Sequence, residues 1–152
     1  MQSPPLDPPV RLLAQFNQHF PDSAHNLIVQ APGRELWIAA ALNGSGRCAL
    51  RAAELDAGTA FTLQSAKSHQ TFLRRPLPRW ARYAAGVWLA MEDTDLPGLN
   101  AALCGNEPPG PRYEYAVGLA FAALLHELSE RSYTAARLIE IIDRVHRDYV
   151  EG

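Results

Sequence analysis

Apolar positions recur along this chain in two periods, and the switch between them divides it. Residues 1–9, with Pro4, Pro5, Pro8 and Pro9, read as an extended lead-in. Val10, Leu13, Phe16 and Phe20 then follow at helical spacing. Asp7 stands where an N-cap belongs, Pro8 stands at the first helical position, and Pro21 should end the helix. A strand-rich block comes next. Leu27-Ile28-Val29 and Leu36 to Leu42 flank a Pro32-Gly33 turn, Cys48 to Glu54 alternates weakly, and Thr59 to Ser65 places Phe61 and Leu63 on one face. Asn43-Gly44-Ser45-Gly46 and Asp56-Ala57-Gly58 supply turn chemistry between these runs, and Gln70 to Arg74 predicts one more short strand.

The second half is helical around a further strand. Trp80, Tyr83, Ala84, Val87, Trp88 and Met91 share one helix face. Leu99, Ala101 and Leu103 alternate as a strand. Tyr115 to Leu128 is apolar nearly all round, the pattern of a helix packed on both sides. Leu138, Ile142, Val145 and Tyr149 form the inward stripe of a last helix, with Glu140–Arg144 and Asp143–Arg147 spaced for ion pairs outside. Helix, several strands, helix, strand and two helices define an α+β domain, expected to run as a single unit over residues 10–152.

Composition narrows the function classes. A chain of 152 residues suits one domain, and 47% apolar with 20% charged residues is ordinary for a globular fold. The net charge of −2 provides no basic field, so neither nucleic acid nor an anionic membrane is an expected partner. The longest apolar run, Tyr115 to Leu125, falls short of the roughly 20 residues that span a bilayer. The Pro-rich N-terminus lacks the pattern of a signal peptide. Cys48 and Cys104 lie far apart with no CxxC, so no disulfide or metal site is expected and the setting should be the reducing cytoplasm.

Individual polar residues give weak chemistry. His19 and His25 bracket Pro21-Asp22, but loop His and Asp residues are ordinarily solvated. Ser65, Ser68 and His69 read as a strand-end turn, His126 and His146 as partly exposed helix residues, and Cys104 as a small buried hydrophobe.

Several stretches carry a family likeness over nearly the whole chain. Ala31-Pro32-Gly33-Arg34 after a strand resembles the A-P-G-R that opens the galactokinase sugar-binding signature. Trp80, Tyr83, Gly86 and Val87 are similar to a W-x-x-Y-x-x-G-V helix. Gly105-Asn106-Glu107-Pro108-Pro109-Gly110 resembles a G-[DN]-V-P-x-G turn, and Tyr149-Val150 stands for Phe-Val in an E-N-E-F-V-G tail. The chain thus resembles the N-terminal half of a galactokinase, in the superfamily of galactokinase, homoserine, mevalonate and phosphomevalonate kinases. The resemblance implies a fold like domain 2 of ribosomal protein S5, a mostly antiparallel sheet with helices packed on one face.

The resemblance also implies where a site would lie, and there the sequence departs from the family. Arg34 survives as a sugar-site position, but the family's Glu, His and Asp fall on Ala40, Ala41 and Asn43. Alanine offers a sugar hydroxyl no hydrogen bond. The vestigial phosphate-loop positions are Gly105, Asn106, Pro109, Gly110 and Arg112. The family's Gly/Ser run is missing between Gly110 and Tyr113, where Pro111 lacks an N–H. The family's catalytic Asp would lie beyond Gly152. These departures predict a protein that is not an enzyme, with no catalytic residue and no cofactor, acting as a ligand- or partner-binding module. The alternative is half of a split sugar kinase, requiring Mg-ATP and completed by a separate C-terminal chain. Self-association or docking to another chain is expected, since the half-fold would expose apolar surface, and a sugar is the expected small ligand.

Overall fold

The computed structural model describes residues 8–25 and 27–151. In chain order the elements are α1 (Val10–His19), β1 (Leu27–Gln30), β2 (Leu36–Leu42), β3 (Arg47–Ala52), β4 (Ala57–Thr62), α2 (Leu63–Lys67), α3 (Arg82–Ala90), β5 (Leu99–Gly105), α4 (Pro111–Leu128) and α5 (Ala135–Val145). A wider helical turn over His146–Val150 continues α5. The strands form one sheet in the order β1-β2-β5-β3-β4. Every pairing is antiparallel except that of β3 with β5.

The alternation of the strands decides what covers each face. Leu36, Ile38 and Ala40 of β2, with Leu99, Ala101 and Leu103 of β5, point into the main core beneath α3, α4 and α5. The intervening residues Trp37, Ala39, Ala41, Ala102 and Cys104 are apolar too, so the central strands need cover on both faces. Helix α1 supplies it with Leu12 and Phe16. The α+β class and the mostly antiparallel sheet are as predicted, while the helices occupy both faces rather than one.

Three local expectations change. In α1 the inward residues are Leu12 and Phe16, whereas Val10 is 88% exposed. The helix ends at His19, with Phe20 N–H donating to Phe16 O at 2.8 Å. The Asp7 cap lies outside the described residues. The strand predicted to reach Ser65 stops at Thr62, where a capping box starts α2. Ser65 N–H donates to Thr62 Oγ1 at 3.0 Å and Thr62 N–H to Ser65 Oγ at 2.9 Å. Gln70 to Arg74 is a loop, not a strand. Arg74 sits at φ 64°, and Thr71 N–H donates to Arg75 O at 2.7 Å, closing the turn before Pro76 and Pro78.

The later helices follow their predicted stripes. Trp80, Tyr83, Ala84, Val87, Trp88 and Met91 are all buried, as are Leu138, Ile142, Val145 and Tyr149. The anticipated ion pairs on α5 are replaced: Glu140 pairs with Arg137 at 3.2 Å, and Asp143 accepts from Tyr115 Oη at 3.1 Å. Helices α3 and α5 meet across Gly86, where a Cβ would lie 2.5 Å from Val145 Cγ1 and 2.9 Å from Tyr149 Cδ1. Neither neighbour is the loose end of a flexible side chain. Gly86→Ala should therefore cost about 1–3 kcal/mol and lower Tm by roughly 3–10 °C. A thermal melt by circular dichroism checks this, and an unchanged Tm would show that the helices can part without cost.

Candidate functional site

Two chain segments far apart in sequence are tied together at the end of the sheet. The first is the turn entering β2. Gly33 takes φ 72° there, Arg34 N–H donates to Ala31 O at 3.0 Å, and Gln30 Nε2 donates to Arg34 O at 2.9 Å. The second is the connection from β5 to α4. Gly105 pairs with Leu36 in the register of β2 and β5, and a Cβ on Gly105 would overlap the Glu35 carbonyl oxygen. Asn106 N–H then donates to Glu35 O at 2.7 Å, and Glu35 N–H donates to Glu107 Oε1 at 3.2 Å. Glu54 completes the clamp, accepting from Gly105 N–H at 2.9 Å. Burial, partly offset by that hydrogen bond, raises the Glu54 carboxyl above the usual range.

The clamp holds the Pro32–Arg34 turn against the start of α4, and a cleft of about 580 Å³ opens between them. Arg34 and Arg112 line it beside Tyr83, Tyr115, Leu119 and Ile139. Pro111 is the first residue of α4, and Glu114 N–H already donates to Gly110 O. The free backbone donors of the first turn are thus those of Arg112 and Tyr113. The Arg34 guanidinium lies over the Tyr115 ring, 5.7 Å from its centroid. Burial, reinforced by the Asp143 carboxylate, pushes the Tyr115 hydroxyl up to about 12. Tyr83 shares a 2.6 Å hydrogen bond with His146 Nδ1, and burial raises its hydroxyl as well. Both phenols stay protonated and can donate at neutral pH. Chemically the cleft pairs two guanidiniums and a helix N-terminus with an aromatic and aliphatic wall, an arrangement suited to a small ligand with one anionic group.

The predicted site residues are divided by this geometry. Arg34 and Arg112 meet in the cleft, and Gly110 adjoins it through Pro111. Gly105, Asn106 and Pro109 belong to the connection, with Gly105 and Asn106 engaged by Glu54 and Glu35. Asn43 is elsewhere. The seven residues of β2 separate it from Arg34, roughly 25 Å along the strand. There Asn43 Nδ2 donates to Asn100 Oδ1 at 2.8 Å, and Ser45 N–H donates to Asn43 Oδ1 at 2.8 Å. Ala40 and Ala41 are buried in opposite faces of the sheet, so neither position opens into the cleft. Tyr83, Tyr115, Ile139 and Asp143 were not singled out as site residues. The one available signal was a pair of tyrosines on otherwise apolar stripes, since a buried phenol needs a partner.

One histidine also differs from expectation, while His146 is partly exposed as expected. His126 is 6% exposed rather than partly solvated, with Nδ1 2.7 Å from Ala122 O. His146 has partners in Tyr83 and, at 3.6 Å, Glu151. His69 stacks on Tyr149, and Ser65 caps α2. Among the described residues no group of three His, Cys, Asp or Glu side chains could hold a metal, and no helix is long and apolar enough to cross a membrane.

The fold is shared with solved galactokinase and mevalonate kinase structures, each of which this chain matches over part of its length. Lactococcus lactis galactokinase complexed with galactose superposes with a TM-score of 0.61 at 14% identity, over 79% of this chain and 31% of that one. Methanococcus jannaschii mevalonate kinase gives 0.55 at 8% identity, over 74% and 36%. A further mevalonate kinase gives 0.55 at 11%, over 80% and 46%. The chain spans less than half the length of these structures. No family model and no curated protein sequence matches it. The expectation of a non-enzyme is corrected here: the solved structures that share the fold are kinases, so the architecture is a kinase-type one.

Both cysteines are free and buried. Burial pushes the Cys104 thiol up to about 11, with the Glu54 carboxylate adding to it, and burial raises Cys48 further. At pH 8 roughly one Cys104 thiol in a thousand is ionised. Neither thiol should react with Ellman's reagent within minutes in the native state, and both should react on denaturation. Fast native labelling of one thiol would reveal an accessible thiolate.

Proposed function

We propose that the chain is the ligand-holding half of a small-molecule kinase. In this reading the cleft between the Pro32–Arg34 turn and the start of α4 binds a small metabolite through one anionic group, and a second unit completes the phosphoryl-transfer site. One observation carries the reading. Three segments that resemble family motifs, the A-P-G-R turn, the Trp80–Val87 helix and the turn before Tyr113, converge on one cleft and bring Arg34 and Arg112 to it.

The site requirements of a nucleotide bear on how the work is divided. A triphosphate needs a run of free N–H donors or a metal-bearing carboxylate set around it. Here the Asn106 N–H is engaged by Glu35 O, Pro111 has none, and the Glu107 carboxylate occupies the same connection. These residues do not fit a triphosphate, so no step is assigned through Mg-ATP on this chain's own groups. A second copy, another chain or a further segment would supply that wall. The apolar side of the cleft, where Ile139 is 43% exposed, is where we place its docking. Two free buried thiols suit a cytoplasmic setting.

The ligand inferred is a phosphorylated or carboxylated small metabolite rather than a neutral sugar, because the positions that would bind sugar hydroxyls are buried alanines or lie across the sheet. A thermal-shift panel of monosaccharides, their phosphates and MgATP tests this. A phosphorylated ligand near 100 times its Kd should raise Tm by roughly 5–10 °C. Arg34→Gln and Arg112→Gln should each reduce the shift. Equal shifts with the neutral sugars, or no shift across the panel, would sink the reading.

A further inference from the structure

At the other end of α4 lies a second, smaller cavity of about 160 Å³. It is separated from the cleft by the length of the helix from Arg112 to His126, roughly 20 Å. Its walls come from the end of α3 and the turn after it, the last turn of α4, the α4–α5 connection and one face of α5. Arg131, Arg137, Arg144 and His126 line it together with Asp93.

Local structure explains why these residues meet. Helix α4 closes with Glu130 in the left-handed region at φ 56°. Glu130 N–H donates to Glu127 O at 3.2 Å, and Arg131 N–H donates to His126 O at 2.8 Å. This double closure folds the chain back on the last turn and returns Arg131 to the His126 level. Thr134 then caps α5, accepting from Arg137 N–H at 3.1 Å. Arg137 and Arg144 are seven residues apart, two helical turns, and so share a face.

The charges are unbalanced toward the cation. Three guanidiniums line the cavity against the single carboxylate of Asp93, which pairs with Arg131 at 3.2 Å. Arg137 is drawn to Glu140 at 3.2 Å on the exposed helix surface. Among the described residues Arg144 has no ion-pair partner. The nearby Glu127 carboxylate accepts from Tyr133 Oη instead. His126 gives a second, independent pointer. It is more than nine-tenths buried, and its Nδ1 must donate to the Ala122 carbonyl, which can only accept. Nε2 is left as the one ring nitrogen able to serve the cavity, and among the described residues His126 makes no second side-chain hydrogen bond.

We propose that this cavity is an anion site, accepting a small tetrahedral oxyanion such as free phosphate or the phosphomonoester head of a small metabolite. Arg131, Arg137 and Arg144 provide the charge and forked N–H donors, and His126 Nε2, the acceptor of a ring whose Nδ1–H is held by Ala122 O, forms the floor by accepting from the P–O–H of a monoprotonated phosphate. Asp93 orients Arg131. The site is independent of the cleft, sharing no lining residue with it.

The test follows the imidazole signals of His126 by NMR while inorganic phosphate, and separately glycerol 3-phosphate, is titrated at fixed pH and ionic strength. Three proteins are compared: the unsubstituted chain, Arg137→Gln/Arg144→Gln, and Arg34→Gln/Arg112→Gln. Arg137 and Arg144 are exposed, so the first double variant should keep its fold, which its remaining spectrum verifies. The expected result is a saturable His126 shift in the unsubstituted chain and in Arg34→Gln/Arg112→Gln. In Arg137→Gln/Arg144→Gln the affinity should fall at least tenfold. Tighter binding of glycerol 3-phosphate would identify a metabolite head group, and equal or weaker binding a free anion. No saturable shift with either anion, or equal affinity in the Arg137→Gln/Arg144→Gln protein, would overturn the proposal. Because the cleft substitutions form their own arm, failure of the cleft reading leaves this result interpretable.

Discussion

The architecture turns on one backbone contact, the approach of Gly105 to Glu35. Any side chain at position 105 would overlap the Glu35 carbonyl oxygen, so the pairing of β5 with β2 can run to its last residue only with glycine there. That register fixes the two flanking segments. Asn106 N–H reaches Glu35 O, and Glu35 N–H reaches the Glu107 carboxylate. The Pro32–Arg34 turn and the start of α4 are thereby locked side by side. Without that lock Arg34 and Arg112 would have no reason to face one cleft. The Glu54 carboxylate bonded to the Gly105 amide ties β3's end to the same point, so three parts of the chain converge on one peptide.

The second constraint is the closeness of the helical layer. Gly86 and Gly118 let α3, α4 and α5 approach until Val145, Tyr149, Tyr83 and Ile142 occupy the space a Cβ would take. The same closeness positions the polar ends of buried aromatics. Tyr83 reaches His146, Tyr115 reaches Asp143, and Tyr149 donates to Ala66 O at 2.5 Å. A cleft built on such paired phenols has rigid walls, and its arginines are the parts free to meet a ligand.

Much of this was legible in the sequence, for reasons that can be named. The stripes of α3 and α5 have a clean helical period, so their buried residues were predictable one by one. The A-P-G-R turn and the G-N-E-P-P-G connection could be placed by resemblance, which led to Arg34 and Arg112. Four features were hidden. The continuous apolar run of β2 does not say which face each residue takes, so the cover by α1 was missed. Thr62 and Ser65 look like strand residues until both hydroxyls turn to cap a helix. Asn43 follows Arg34 closely in sequence, but an extended strand carries it to the far end of the sheet. The burial of His126 also depends on how α4 closes, which no local periodicity encodes. The expectation of a non-enzyme rested on residues lacking from motifs, whereas the solved structures that share the fold are kinases.

The most direct test of the account is backbone amide NMR of the chain titrated with a phosphorylated monosaccharide. The largest saturable changes should fall at Gly33, Arg34, Arg112, Tyr113 and Tyr115, around the locked turn and the first turn of α4. Changes centred on Asn43 to Arg47 at the far end of β2, or no saturable change anywhere, would contradict it.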